Sequence, residues 1–156
     1  MRNRIPSPGG LTFAVLALAL VLGADPAQAF FGLGAKHAAV QAQGDAVLIP
    51  LAGVADGKAR FFELRDAGKA LRFFVVQGAD GVVRAAFDAC DVCYHARKGY
   101  TLDGEQMVCV NCSQRFHVAR INEVQGGCNP APLERTVDGD TLRIPLAALR
   151  AGANYF

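Results

Sequence analysis

The chain has 156 residues, and its 16 Lys+Arg stand against 14 Asp+Glu for a formal net charge of +2. That balance offers no basic field for nucleic acid and no acidic tail. The length suits one domain with a real core, yet a domain small enough for a bound metal to matter to its stability.

In chain order, Arg2 and Arg4 form a short basic head, Leu11 to Gly23 is apolar apart from Thr12, and Ala27-Gln28-Ala29 places small residues at a cleavage position. Residues 1–29 thus have the layout of an export signal, with Phe30 as the expected mature N-terminus. The thirteen apolar-region residues would reach roughly 20 Å as a helix, short of the roughly 30 Å of bilayer hydrocarbon. An uncleaved anchor, tilted or thinning the bilayer, is the alternative. Cleavage removes Arg2, Arg4 and Asp25 and leaves 14 cations against 13 carboxylates. The expected location is the periplasm or the outer face of the inner membrane.

Residues 30–44 are rich in glycine and alanine and read as a flexible lead-in, in which His37 is expected to face solvent. Residues 45–156 read as a single, mainly β domain with hairpins and short helical turns. Strands are expected at 47–49, ending at Pro50, at 59–63, at 71–77 and at 82–87. The run LRFFVVQ at 71–77, dominated by aromatic and β-branched residues, is the strongest of these signals, and Asp80-Gly81 turns it into the next strand. Short β pieces are expected at 107–108, 116–118 and 142–144, and one or two helical turns at 146–151. The stretch 45–61 (DAVLIPLAGVADGKARF) echoes 140–156 (DTLRIPLAALRAGANYF) at a constant offset, with matched prolines that end a ladder. The two copies are expected as elements of one β-rich core, facing each other across it, with the cysteine segment inserted between them.

All five cysteines fall between Cys90 and Cys128. Exported proteins normally scatter cysteines into disulfides that staple the domain, whereas this clustering reads as a local, functional array. Cys90/Cys93 and Cys109/Cys112 are both C-x2-C pairs. Two residues between cysteines let a tight turn aim both sulfurs at one point, and two such turns bring four thiolates to one ion, at about 2.3 Å for zinc. Four-sulfur geometry suits iron as well as zinc. Two local disulfides or a redox dithiol are the competing account, although a thioredoxin-like pair opens a helix and no helical pattern follows Cys93 or Cys112. Cys128 lies in Gly126-Gly127-Cys128-Asn129-Pro130-Ala131-Pro132, where two glycines permit a bend and two prolines stiffen its exit. A fifth thiol has no place in a closed tetrahedral site, so Cys128 replaces one of the four, serves a second metal or meets a partner.

His95 and His117 are alternative ligands or groups hydrogen-bonding a sulfur; otherwise His95 lies at the surface and His117 is half-buried beside Phe116. Asp88 and Asp91 are expected to satisfy turn amides, Met107 to pack in the core, and Arg97-Lys98 either to offset thiolate charge or to be solvated. The pattern holds no hydrolase arrangement and offers no catalytic residue set of a hydrolase or transferase; a redox role stays open. Amides of 126–129 and His95 are the candidate hydrogen-bond donors to sulfur.

The run F-D-A-C-D-V-C-Y at 87–94, with Gly99-Tyr100, Cys109-Val110-Asn111-Cys112, Arg115-Phe116, Ile121-Asn122 and G-G-C-N-P-A-P-L at 126–133, closely resembles the bacterial family of membrane-associated iron-sulfur-containing, FtrD-like proteins, a domain of unknown function. The resemblance covers roughly residues 45–156. It implies that Cys90, Cys93, Cys109, Cys112 and Cys128 are metal-binding, and that a membrane protein of an iron-transport or respiratory system is the partner. It departs at Ser113, where a glycine is expected after the second pair. Many such relatives are fused to a multi-span membrane region, which this chain does not show.

The resemblance implies an iron-sulfur cluster or iron. Yet Arg2-Asn3-Arg4 is not a twin-arginine signal, and a chain exported unfolded acquires a single zinc, iron or copper ion more easily than an assembled cluster. Three functions therefore compete: electron transfer or iron handling beside a membrane partner, a structural zinc-stabilised accessory or interaction domain, and an extracytoplasmic thiol-disulfide or copper-carrier protein. None calls for nucleic acid or a large organic substrate.

Overall fold

The computed structural model describes residues 35–156. The expected export signal over 1–29, and Phe30 with it, lie outside the described residues. Ten strands follow in chain order: β1 (Ala38–Val40), β2 (Ala46–Pro50), β3 (Arg60–Asp66), β4 (Lys69–Gln77), β5 (Val83–Phe87), β6 (Tyr100–Asp103), β7 (Gln106–Cys109), β8 (Arg115–His117), β9 (Thr136–Asp138) and β10 (Thr141–Pro145). One short helix, α1 (Leu146–Ala151), follows β10. The mainly β architecture read from the sequence is therefore the one observed. No helix among the described residues is long and apolar enough to cross a membrane.

The strands form three small sheets. The first is four-stranded in the order β1-β3-β4-β5, the second runs β2-β10-β9, and the third runs β6-β7-β8. The run at 71–77 becomes β4, paired antiparallel with β3 on one side and β5 on the other. Its lack of alternation has a plain cause, since successive side chains point to opposite faces and both faces are covered. Phe73 and Val75 pack in a core shared with Val47, Ile49, Leu142 and Leu149. Phe74 and Val76 enter a second core, with Tyr100, Met107, Cys90 and Cys109. The first sheet thus lies between the second sheet, with α1, and the cysteine-bearing third sheet.

Three features differ from the sequence reading. The expected lead-in contains β1, which runs parallel to β3 with Ala38 opposite Phe62. His37 does not face solvent: its side chain is 16% exposed and its Nε2 lies 2.7 Å from Asp88 Oδ2. The two echoing stretches do not face each other across a core. Their strands β2 and β10 are hydrogen-bonded neighbours in one antiparallel sheet, Ala46 opposite Pro145 and Pro50 opposite Thr141. Each proline ends its strand, and a short helical turn follows each, at Leu51–Gly53 and at Leu146–Ala151. The second copy's aromatic end forms a 3-10 turn, Ala153–Tyr155, instead of a strand.

Candidate metal centre

Cys90 lies just beyond β5, placed by backbone pairing on both sides of it. Phe87 N donates to Ala131 O at 2.8 Å, and Ala131 N donates to Ala89 O at 2.9 Å. That exchange lays the Pro130–Pro132 exit of the Cys128 loop along the end of β5, with Ala86 bridged to Pro132. The loop bends through Gly126 and Gly127, at φ 84° and 61°, conformations that glycine adopts without penalty. Cys109 ends β7, and Cys112 sits on the exposed turn that leads to β8.

Asp88 ties this frame to the rest of the fold. Its carboxylate is buried and accepts from Lys36 Nζ at 2.6 Å and from the Tyr100 amide at 2.7 Å, with His37 Nε2 at 2.7 Å. Gly99 must be a glycine here, because a Cβ would run into the Asp88 carboxylate and its φ is 65°. The turn-amide role expected of Asp88 is thus one part of a larger one, since it also holds the segment before β1. Asp91 accepts instead from the Tyr155 hydroxyl at 2.7 Å, tying the C-terminal turn to the first cysteine pair.

The five sulfurs form two overlapping groups. Those of Cys90, Cys93 and Cys128 lie within 4.8 Å of one another, and so do those of Cys93, Cys109 and Cys112. Cys93 belongs to both. Its sulfur is 3.8 Å from that of Cys128. Two thiolates bound to one tetrahedral metal at about 2.3 Å sit about 3.8 Å apart, whereas a disulfide needs about 2.05 Å. All five cysteines are free.

Backbone amides are aimed at these sulfurs. Cys93 N donates to Cys90 Sγ at 3.1 Å. Burial pushes the Cys109 thiol up to about 11, and the amides of Cys112 and Asn111 pull against that rise. Cys112 is exposed and lies below its usual value, chiefly because the Gln114 amide donates to it. Cys128 is pushed up to about 12, first by burial and then by the neighbouring Cys112 and Cys93 thiols. Tyr100 is held well above the ordinary tyrosine range, by burial and then by hydrogen bonding with Cys90, so it stays neutral. Its hydroxyl donates to Cys128 O at 2.6 Å and fixes the fifth cysteine from behind.

Amide-to-sulfur bonds favour the thiolate, the form that binds metal. Free thiols, donors aimed at sulfur, partial burial and a spacing compatible with shared coordination together fit a thiolate-held metal centre, of zinc, of iron or of an iron-sulfur cluster. The donors differ from those read in the sequence. They are the amides of Cys93, Asn111, Cys112 and Gln114, while Asn129 N turns to Gly126 O. Three of the four lie inside a C-x2-C turn that closes on its own first sulfur, the signal that could have found them; Gln114 lies beyond its turn and donates to Cys112.

Neither histidine joins the sulfur groups. His95 is exposed and lies on the Tyr94 ring, with centroids 3.8 Å apart. His117 is exposed, not half-buried; its Nδ1 accepts from Ala119 N at 3.2 Å and its Nε2 lies 3.6 Å from Glu105. Met107 is fully buried, as expected of a core residue. Ser113, the departure from the resembled pattern, has φ 63°, which explains why a glycine suits that position. A cavity of about 360 Å³ opens beside the centre, and Cys90, Cys93 and Cys109 line it. No local pattern in the sequence announces it, because its walls come from β3, β4, the cysteine segment and the C-terminal turn.

A small β-rich fold that gathers five free thiols defines a candidate metal-binding protein. The family described as membrane iron-sulfur containing protein FtrD-like matches residues 54–156, and the chain belongs to it. No curated protein matches the sequence. Among solved structures, the chain is similar to the quaternary ammonium Rieske monooxygenase CntA in complex with inhibitor MMV12 and in complex with γ-butyrobetaine. Each is 15% identical with a TM-score of 0.43, over 65% of this chain and 31% or 32% of the enzyme. The match thus spans about a third of those enzymes' length, and at that TM-score it defines neither a shared fold nor a shared function.

Proposed function

We propose that this protein is an exported iron or iron-sulfur protein that acts in electron transfer or iron handling beside a membrane protein of an iron-transport or respiratory system. Cys90, Cys93, Cys109, Cys112 and Cys128 would hold the metal. The observation that carries this reading is the sharing of Cys93 between two sulfur groups. A lone structural zinc ion needs four thiolates and leaves the fifth without work; two groups joined at one sulfur use all five. The family description adds iron-sulfur and membrane association. The export signal read over 1–29 would place the domain in the periplasm or at the outer face of the inner membrane.

Bound there, iron or an iron-sulfur cluster supplies reversible one-electron chemistry. The chain's own contribution is to hold and tune it. Amides of Cys93, Asn111, Cys112 and Gln114 stabilise negative charge on sulfur, and Cys90 and Cys109 are the buried members of the set. Cys112 is the exposed member of the set, so a partner surface comes nearest to the sulfurs there.

The test is a redox titration of the full chain purified without oxygen, followed by visible absorption and electron paramagnetic resonance. Reversible bleaching with a matching spin signal supports the reading. A colourless, redox-silent protein sinks it and favours the zinc-stabilised domain.

A further inference from the structure

The cavity beside the centre carries more cationic charge than its own carboxylates offset. Arg65, Lys69, Arg72 and Arg97 line it, and Asp88 is the one side-chain carboxylate among its lining residues. Asp88 is already occupied by Lys36, His37 and the Tyr100 amide. Glu63, just outside, is shared by Arg65 and Arg72 at 2.9 Å each. Lys69 Nζ donates to Ala153 O, which is uncharged. Among the described residues Arg97 has neither an ion pair nor a side-chain hydrogen bond, and it is held at φ 54°, a strained conformation for a residue with a Cβ. The C-terminal wall is aromatic, built by Tyr155 and Phe156, with Tyr94 beside them. Cations at one side and rings at another suit a ligand with both charge and a carbon skeleton.

From this juxtaposition we propose that the cavity binds a small organic anion bearing two or more carboxylates, free or wrapped around a metal ion, directly beside Cys90, Cys93 and Cys109. Guanidinium groups of Arg72 and Arg97 take carboxylates in paired hydrogen bonds, and Lys69 adds a point charge. The volume, about 360 Å³, is within the range of small-molecule sites. The inference rests on the proposed centre only for what the ligand lies beside; the cationic cavity itself does not depend on which metal the thiols hold.

The rival explanation is that these cations only offset thiolate charge. Calorimetric titration of the full chain, purified with its own metal, separates the two. The probes are citrate, ferric citrate and acetate, at two salt concentrations, with metal content measured on every sample. We expect saturable binding of citrate or ferric citrate, tighter than acetate and weaker at high salt. Binding of citrate alone identifies the free anion, and binding of ferric citrate only identifies the chelate. Arg97→Asn, whose asparagine tolerates the left-handed backbone, should weaken binding about tenfold with metal content unchanged. Lys69→Gln provides an independent second variant, and Arg97→Lys should restore part of the affinity. No saturable binding at millimolar probe, or binding indifferent to both Arg97→Asn and Lys69→Gln, overturns the inference. A protein without iron that still binds citrate through Arg97 would break the proposed function and leave this site standing.

Discussion

The two cores of this molecule are built on different terms. The core between the first and second sheets is apolar throughout, with Phe73, Leu142, Ile144 and Leu149 fully buried. The core under the third sheet is thinner, and its members include Cys90 and Cys109, with Cys93 and Cys128 packed against it. The strands there have three or four residues, against nine in β4. Among the described residues, three of the four non-glycine residues with positive φ, Arg97, Ser113 and Asn122, lie in the cysteine segment. Apolar burial sustains the first region, whereas the second spends backbone strain to bring five sulfurs together.

The largest effect should come from the shared sulfur. Cys93→Ser should lower metal content on the order of tenfold or more, and Cys112→Ser, which touches one group only, should lower it less. In the same variant, hydrogen exchange should speed up across β6–β8 while β3–β5 stay protected. Equal loss of protection in both regions would erase the distinction between the two cores.

Asp88 joins the regions, so Asp88→Ala should be felt in both. It leaves Lys36, His37 and the Tyr100 amide without their buried acceptor and should destabilise the fold by about 3 kcal/mol in chemical denaturation. A cost under about 1 kcal/mol would show that the joint is ornamental.

A smaller effect, of opposite sign, is expected at Ser113. Its φ of 63° penalises any side chain, and Ser113→Gly should stabilise the protein by about 1 kcal/mol in thermal unfolding, with all ligands kept. The comparable change in the apolar region, Ala67→Gly at φ 46°, serves as the control for a turn with no metal to hold.

The smallest effect concerns pH at the β4–β5 turn. Arg84 beside Asp80 lowers its carboxyl from 3.8 to about 2, and the Val82 amide helps. Because the folded value is the lower one, this contribution is whole above about pH 4 and fades as pH falls toward 2. Carboxyl titration by NMR should show that midpoint, and Arg84→Gln should return it most of the way to 3.8.

What was legible in the sequence follows the strength of local pattern and cuts across that division. Strands β2 to β5 stood out because aromatic and β-branched runs, a proline stop and an Asp-Gly turn each have one simple structural answer. The short strands β1, β6 and β9 were missed, since AAV, YTLD and TVD owe their pairing to neighbours and not to any pattern of their own. In the candidate centre, C-x2-C spacing announced two sulfur turns, and the Gly-Gly and Pro-x-Pro frame announced that Cys128 is placed. That Cys93 is the sulfur common to both groups could not be read from spacing, because it depends on how the Cys128 loop pairs with the end of β5. His37 failed as an exposed histidine for the same reason: its partner, Asp88, is 51 residues away.

The central claim is that five thiolates meeting at Cys93 hold an iron centre. Total metal and acid-labile sulfide per chain, measured on protein purified without oxygen or added metal, test it most directly. Iron is expected as the dominant metal, with sulfide in matching amount where a cluster is present. One zinc per chain, with no iron and no sulfide, would contradict it.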